Sequence, residues 1–253
     1  MFVARILRHI YPGEQLKMSA STKPILLVAM NVPPEKESEF NSFYHHKFLP
    51  EMLNAAPEIT SIRRYEESGT SGTLRWYNKQ FLTIYELASD DVIDKVDELF
   101  ERPSMVDLVG EFRQWKANHL RNFSRIVFRN SWSHARAAAD GPFGGRPMFI
   151  WAHEMKSELD QQFQEWYQNH YLPLQVADIP CWSACRRYES VGRDQTRRIT
   201  VFEAPDDALL QRCLNDLRAG HRVKENFEWQ RRVEQAVLWQ ESGSYRVIYR
   251  RPG

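Results

Sequence analysis

The 253-residue chain is poor in the features that usually give a function away. It has three cysteines, Cys181, Cys185 and Cys213. So small and odd a number in a long chain argues against a disulfide framework. Cys181 and Cys185 also have no second pair to complete a zinc site. They read as reduced thiols of a cytoplasmic protein. Charge of one sign is missing too: Lys plus Arg number 34 against 33 for Asp plus Glu, a net charge of +1. No long-range field draws nucleic acid or an anionic membrane, so neither is expected as a partner. The stretch Met1 to Ile10 mixes apolar residues with Arg5 and Arg8. Its longest uncharged run is too short for a signal sequence or a membrane span. Its Arg-rich amphipathic start is only a weak transit-peptide signal. Residues 1–22 read as a flexible tail, with Met18 as an alternative start. Phosphate loops, His-Glu-x-x-His, paired Cys-x-x-Cys motifs and Gly-x-Ser-x-Gly are all lacking, which leaves no strong chemical motif.

What the chain does have is aromatic content, at 13% with eight tryptophans, and an internal repeat. That many tryptophans suit a wide aromatic cavity or a broad seam between domains. Pro24-Ile-Leu-Leu-Val-Ala is matched by Pro147-Met-Phe-Ile-Trp-Ala. Phe40, Tyr44, Leu49-Pro50 and Pro57 are matched by Phe163, Tyr167, Leu172-Pro173 and Pro180. Arg63-Arg64-Tyr65-Glu66 is matched by Arg186-Arg187-Tyr188-Glu189. A constant offset of about 123 residues aligns these stretches without a gap, with roughly 12 of 43 positions identical. The repeat predicts two domains, 23–130 and 147–253, joined by a linker over 131–146 that is rich in Ala and Gly.

Each copy has one order of elements. In the first, strands are predicted at Ile25–Val32, Ile59–Glu66, Trp76–Leu87 and Arg125–Arg129, with a helix over Glu35–Leu53. A second helical region starts at Ser89-Asp90-Asp91, breaks near Pro103 and resumes through Trp115. In the second copy the strands are Met148–Met155, Trp182–Glu189, Arg198–Ala204 and Tyr245–Arg250. Its helices are Leu159–Gln175 and one starting near Pro205-Asp206-Asp207. The order β-α-β-β-α-β, twice, is the ferredoxin-like split motif. The fold class is therefore α+β: two tandem ferredoxin-like repeats packed sheet to sheet as a barrel within one chain.

The segments Phe40-Asn-Ser-Phe-Tyr-His-His-Lys-Phe-Leu-Pro-Glu and Phe163-Gln-Glu-Trp-Tyr-Gln-Asn-His-Tyr-Leu-Pro resemble the first-helix signature of the dimeric α+β barrel superfamily. They are most similar to its EthD-like and related uncharacterised branches. The resemblance spans Pro24 to Arg250. It implies a fold shared by cofactor-free monooxygenases, cyclases, isomerases, dehydratases and haem enzymes, and does not choose among them. The family's histidine, four residues after the Tyr, is replaced here by Phe48 and Tyr171.

Candidate site residues follow from face arithmetic. Phe163, Trp166, Tyr167, His170 and Tyr171 share one face of an α-helix, which points His170 inward beside Tyr167. His170 is the acid/base candidate, because imidazole titrates near neutral pH. A core-edge histidine tied to a carbonyl is the plainer alternative. Phe149, Trp151 and His153 share a strand face where the first copy has Leu26, Val28 and Met30. That contrast suggests a pocket in the second half only, or else aromatic filler between the sheets. Arg186 pairs with Glu203 across a hairpin or clamps a substrate oxyanion.

The expected function is a small-molecule enzyme with neither metal nor cofactor, acting on an aromatic or polyketide-like carbonyl compound. In it His170 is acid or base, Tyr167 a donor to the oxyanion, and His153 or Arg186 an orienter. Trp151, Trp166 and Arg186 contact the substrate. The alternatives are a non-catalytic binding protein, separable by a ligand that is bound and not turned over, and a haem enzyme with His170 or His153 as axial ligand. A homo-oligomer of the tandem chain is also compatible.

Overall fold

In the computed structural model, the described residues are 23–72, 79–135, 145–219 and 222–252. The order of elements is β1 (Ile25–Asn31), α1 (Pro34–Phe43), a π-helical turn (Tyr44–Phe48), α2 (Leu49–Ala55), β2 (Ile59–Glu67) and β3 (Phe81–Leu87). A 3₁₀ segment (Asp90–Lys95), α3 (Val96–Glu101), α4 (Val106–Asn118) and β4 (Arg121–Ala135) follow. The second half runs β5 (Met148–Met155), α5 (Ser157–Trp166), a π-helical turn (Tyr167–Tyr171), α6 (Leu172–Asp178), β6 (Ala184–Ser190) and β7 (Arg197–Glu203). It ends with α7 (Asp207–Leu217), α8 (Val223–Ala236) and β8 (Val237–Pro252). The predicted start of the third strand at Trp76, like the N-terminal tail, lies outside the described residues. The Asp206 carboxylate caps α7 by accepting from Leu209 N–H at 2.8 Å.

The eight strands close into one antiparallel barrel in the order β1-β3-β2-β8-β5-β7-β6-β4. The two four-stranded sheets thus face each other across a shared interior and also hydrogen-bond at both edges. The edges are joined by two long strands. β4 pairs with β1 through residues 121–128 and with β6 through residues 128–135. β8 pairs with β5 through residues 237–245 and with β2 through residues 245–252. No strand edge is left open in the ring, which removes the usual template for edge-to-edge association. The linker expected over 131–146 is corrected at its start: residues 131–135 are strand, because β4 must continue to reach β6.

Three apolar clusters hold this arrangement. The barrel interior takes one face of every strand, including Ile25, Ile84, Phe128, Ile150, Val201 and Tyr245. The opposite faces pack beneath helices, one cluster for each half. Burial of both faces explains why β1 and β3 are almost wholly apolar rather than alternating. Cys213 on α7 meets Cys181 after α6, and the two are disulfide-bonded with Cα atoms 6.0 Å apart. This corrects the expectation of three reduced thiols; only Cys185 is free, and it is buried. Among the described residues, no helix is long and apolar enough to cross a membrane.

Candidate functional site: an aromatic cavity in the second half

A cavity of about 510 Å³ lies between the outer face of the second sheet and its helices. That is within the roughly 300–1,000 Å³ of ordinary ligand sites. Its floor is Phe149 and Trp151 of β5 with Phe202 of β7, and its walls include Tyr167, Tyr171 and Trp229. The Tyr171 and Trp229 rings stack at 4.8 Å, and the Trp151 indole meets Trp229 edge-on at 4.6 Å. The charged side chains Arg218 and Glu234 belong to its exposed rim.

The two halves differ here because of their bridging strands. In the first half Val28 of β1 lies opposite Arg125 of β4. The Arg125 guanidinium covers the Phe100 ring at 4.3 Å and bonds Asp97 at 2.6 Å. Phe123, two residues earlier on the same face, packs against the helical core. In the second half Trp151 lies opposite Ser242, and His153 opposite Gln240. A serine and a glutamine leave space where an arginine and a phenylalanine fill it.

The π-helical turn decides which side chains enter the cavity. The N–H of Leu172 bonds the carbonyl of Tyr167, five residues back. This turn advances fewer degrees per residue than an α-helix, so the inward face slips by one position. Tyr171 and Leu172 are buried, and His170 is exposed. The inward His170 expected from regular 3.6-residue periodicity is therefore corrected. The first half has the same turn, with Phe48 buried and Lys47 ion-paired to Glu111 at the surface.

Of the other residues singled out from sequence, Trp151 and Tyr167 line the cavity. The Tyr167 hydroxyl donates to Thr200 Oγ1 at 3.1 Å. Burial raises the tyrosine well above its ordinary range, so it stays protonated. Trp151 donates its indole N–H to Gln240 Oε1 at 2.9 Å. His153 is fully buried, stacked on Trp151 at 3.9 Å, and neither ring nitrogen has a hydrogen-bond partner. Burial, then the Arg187 and Arg198 charges, hold it well below the usual imidazole range. It is neutral and is not part of the cavity wall. Trp166 is half-buried in the surrounding aromatic shell, 5.1 Å from Tyr171.

Arg186 is on the opposite face of the sheet. It points into the barrel beside Tyr188 and pairs with Glu203, both side chains almost completely buried. This is the cross-hairpin pairing of the two sequence alternatives, and it keeps Arg186 away from the cavity. Arg187 is the arginine on the helix side, with its guanidinium 4.8 Å from the Tyr167 ring centroid.

Sequence reasoning missed Trp229, Gln175, Gln240 and Ser242. Trp229 and Val233 are four apart on α8, a spacing that marks an inward helical face. Gln240 and Ser242 alternate on a strand that is longer at its start than turn signals suggested. Among the described residues no histidine lines the cavity and no three His, Cys, Asp or Glu residues cluster as metal ligands. Neither His170 nor His153, the two axial ligands considered for a haem, belongs to this wall.

Comparison with solved structures places the fold. The chain superposes on an anthrone oxidase-like protein with a TM-score of 0.63 at 11% identity, covering 93% of this chain and 94% of that one. A candidate monooxygenase from Fusobacterium nucleatum gives 0.56 at 11% identity, covering 91% and 95%. One from Lactobacillus acidophilus gives 0.54 at 10% identity, covering 91% and 96%. The chain shares their fold. At these identities the likeness carries architecture and no more. No family model matches the chain, and no curated protein matches it in sequence.

Proposed function

We propose that the chain is a small-molecule enzyme that binds a planar aromatic carbonyl compound in the second-half cavity and needs no metal or organic cofactor. The cavity carries this reading. It is walled by stacked aromatic rings and supplied with neutral donors, and among the described residues its charged side chains, Arg218 and Glu234, stand at the rim. Such a site favours a flat, uncharged ligand and stabilises oxygen-centred charge by hydrogen bonding. Fold neighbours described as monooxygenase and anthrone oxidase-like make oxygenation the first reaction to try. In that reaction a ring methylene becomes a ketone. One atom of dioxygen becomes the new carbonyl oxygen, and the other leaves as water with the two methylene hydrogens. Tyr167 and Trp151 bind the ring system, His153 and Trp166 support that wall from behind, and Arg186 has no part in binding.

The proposal includes descent of the two halves from a tandem duplication related to the EthD-like branch, with division into 23–130 and 147–253. A homo-oligomer of the tandem chain is compatible with it. It also places the protein in the cytoplasm, where the Cys181–Cys213 pair has to form against a reducing milieu. A second reading, a binding protein without turnover, is favoured by one observation: among the described residues the one carboxylate of the wall, Glu234, is exposed at the rim.

The test is tryptophan quenching and oxygen uptake with anthrone, comparing the native chain with Ser242→Arg, which restores the first half's filler. Quenching plus oxygen uptake, both lost in the variant, is the expected result. Quenching without uptake selects the binding protein. Quenching unchanged by Ser242→Arg refutes the cavity as the site.

A further inference from the structure

Gln175 of α6 belongs to the wall of this cavity and is fully buried. Its Oε1 accepts from Arg222 Nη2 at 2.7 Å. Arg222 is itself almost completely buried and bonds Asp178 Oδ2 at 3.2 Å. A guanidinium can only donate, so the amide cannot be turned round: its oxygen faces Arg222 and its N–H₂ group points the other way. Gln175 Nε2 has no hydrogen-bond partner. A buried donor left unmet is costly, and a native structure keeps few of them without a purpose. Gln240 repeats the device in a more open part of the wall, its oxygen held by the Trp151 indole. Tyr171, beside Gln175 in the cavity wall, is kept protonated by burial and adds a neutral donor.

We propose that the Gln175 amide is the specificity-determining donor of the cavity, receiving a carbonyl oxygen of an uncharged aromatic ketone. This rests on the cavity being the ligand site. The fixed orientation makes the choice one-sided. An acceptor oxygen satisfies the orphan N–H₂, whereas a hydrocarbon of the same shape leaves it unmet. The buried Arg222 behind the amide polarises it toward the ligand, which strengthens the bond as negative charge grows on that oxygen.

The experiment measures dissociation constants of the full chain for anthrone and for 9,10-dihydroanthracene, which has the same rings with a methylene in place of the carbonyl. Native protein should prefer anthrone by about tenfold, the worth of one well-placed hydrogen bond. In Gln175→Glu the carboxylate still accepts from Arg222 but offers the ligand no donor. The preference should fall to within about twofold while dihydroanthracene binding is retained. Gln175→Met, which also lacks the donor, should behave alike if the Glu variant folds poorly. Binding of both probes with no native preference, or a preference that survives both substitutions, overturns the assignment of Gln175 and leaves the cavity standing. Binding of neither probe to the native chain overturns both.

Discussion

Replacing Glu203 by Gln should destabilise the protein far more than the matching change at Glu86. Glu203 is 0% exposed and its partner Arg186 4%, both inside the barrel. Removing the negative charge takes a counter-charge from a buried guanidinium, and breaking a buried pair costs about 3–5 kcal/mol. Gln keeps one acceptor oxygen, so about 3 kcal/mol is expected. Glu86 occupies the corresponding place in the first half, but its surroundings are wetter. Its side chain is 10% exposed, and its partners Arg63 and Lys23 are 18% and 40% exposed. Water can take over there, and the loss should be near 1 kcal/mol, in the range of screened pairs. Urea unfolding at pH 7 reads the difference. With a slope of about 3 kcal/mol/M, the midpoint should fall by about 1 M for Glu203→Gln and about 0.3 M for Glu86→Gln. Equal shifts, or a larger one for Glu86, would refute the claim that barrel burial sets the worth of these pairs.

Phe40→Ala and Phe163→Ala, both in helix faces packed on the sheets, should each cost about 3–5 kcal/mol in the same assay. A loss below about 1 kcal/mol would mean that the side chain is not packed as described. Stability should fall as pH drops below about 6.5, because the unfolded chain then binds protons that the folded chain refuses. His153, held neutral by burial, and His45, held down to about 4 by partial burial and by Arg64 and His46, are the groups responsible. His153→Met, which copies Met30 of β1, should flatten that slope, and an unchanged slope would clear His153 of the effect. Thiol titration of the unfolded chain should find one free thiol before reduction and three after. Reduction should cost about 3–4 kcal/mol for a loop of sequence separation 32. Three thiols without reductant would rule out the Cys181–Cys213 bond.

The sequence alone determined the order of elements, alike in its two halves, and the sharing of one face by Phe149, Trp151 and His153. These depend on local periodicity and on an internal repeat, and both are written in neighbouring residues. It also marked the Val28-to-Trp151 contrast that locates the cavity. Tertiary structure decided the rest. The exposure of His170 follows from a π-helical turn, where packing of two helical segments against the sheet inserts a residue that no hydrophobic pattern announces. The fate of Arg186 was open until the strands were placed, because alternation gives two faces and only closure of the barrel says which one meets the helices. The lengths of β4 and β8 were hidden because each strand pairs in turn with both sheets: the end of β4 continues past its own sheet onto β6, and the start of β8 lies on β5 before its end reaches β2. Trp229, Gln175, Gln240 and Ser242 are spread over three elements, and nothing along the chain brings them together. A site assembled from such distant segments exists only once the barrel has closed and α8 lies across it.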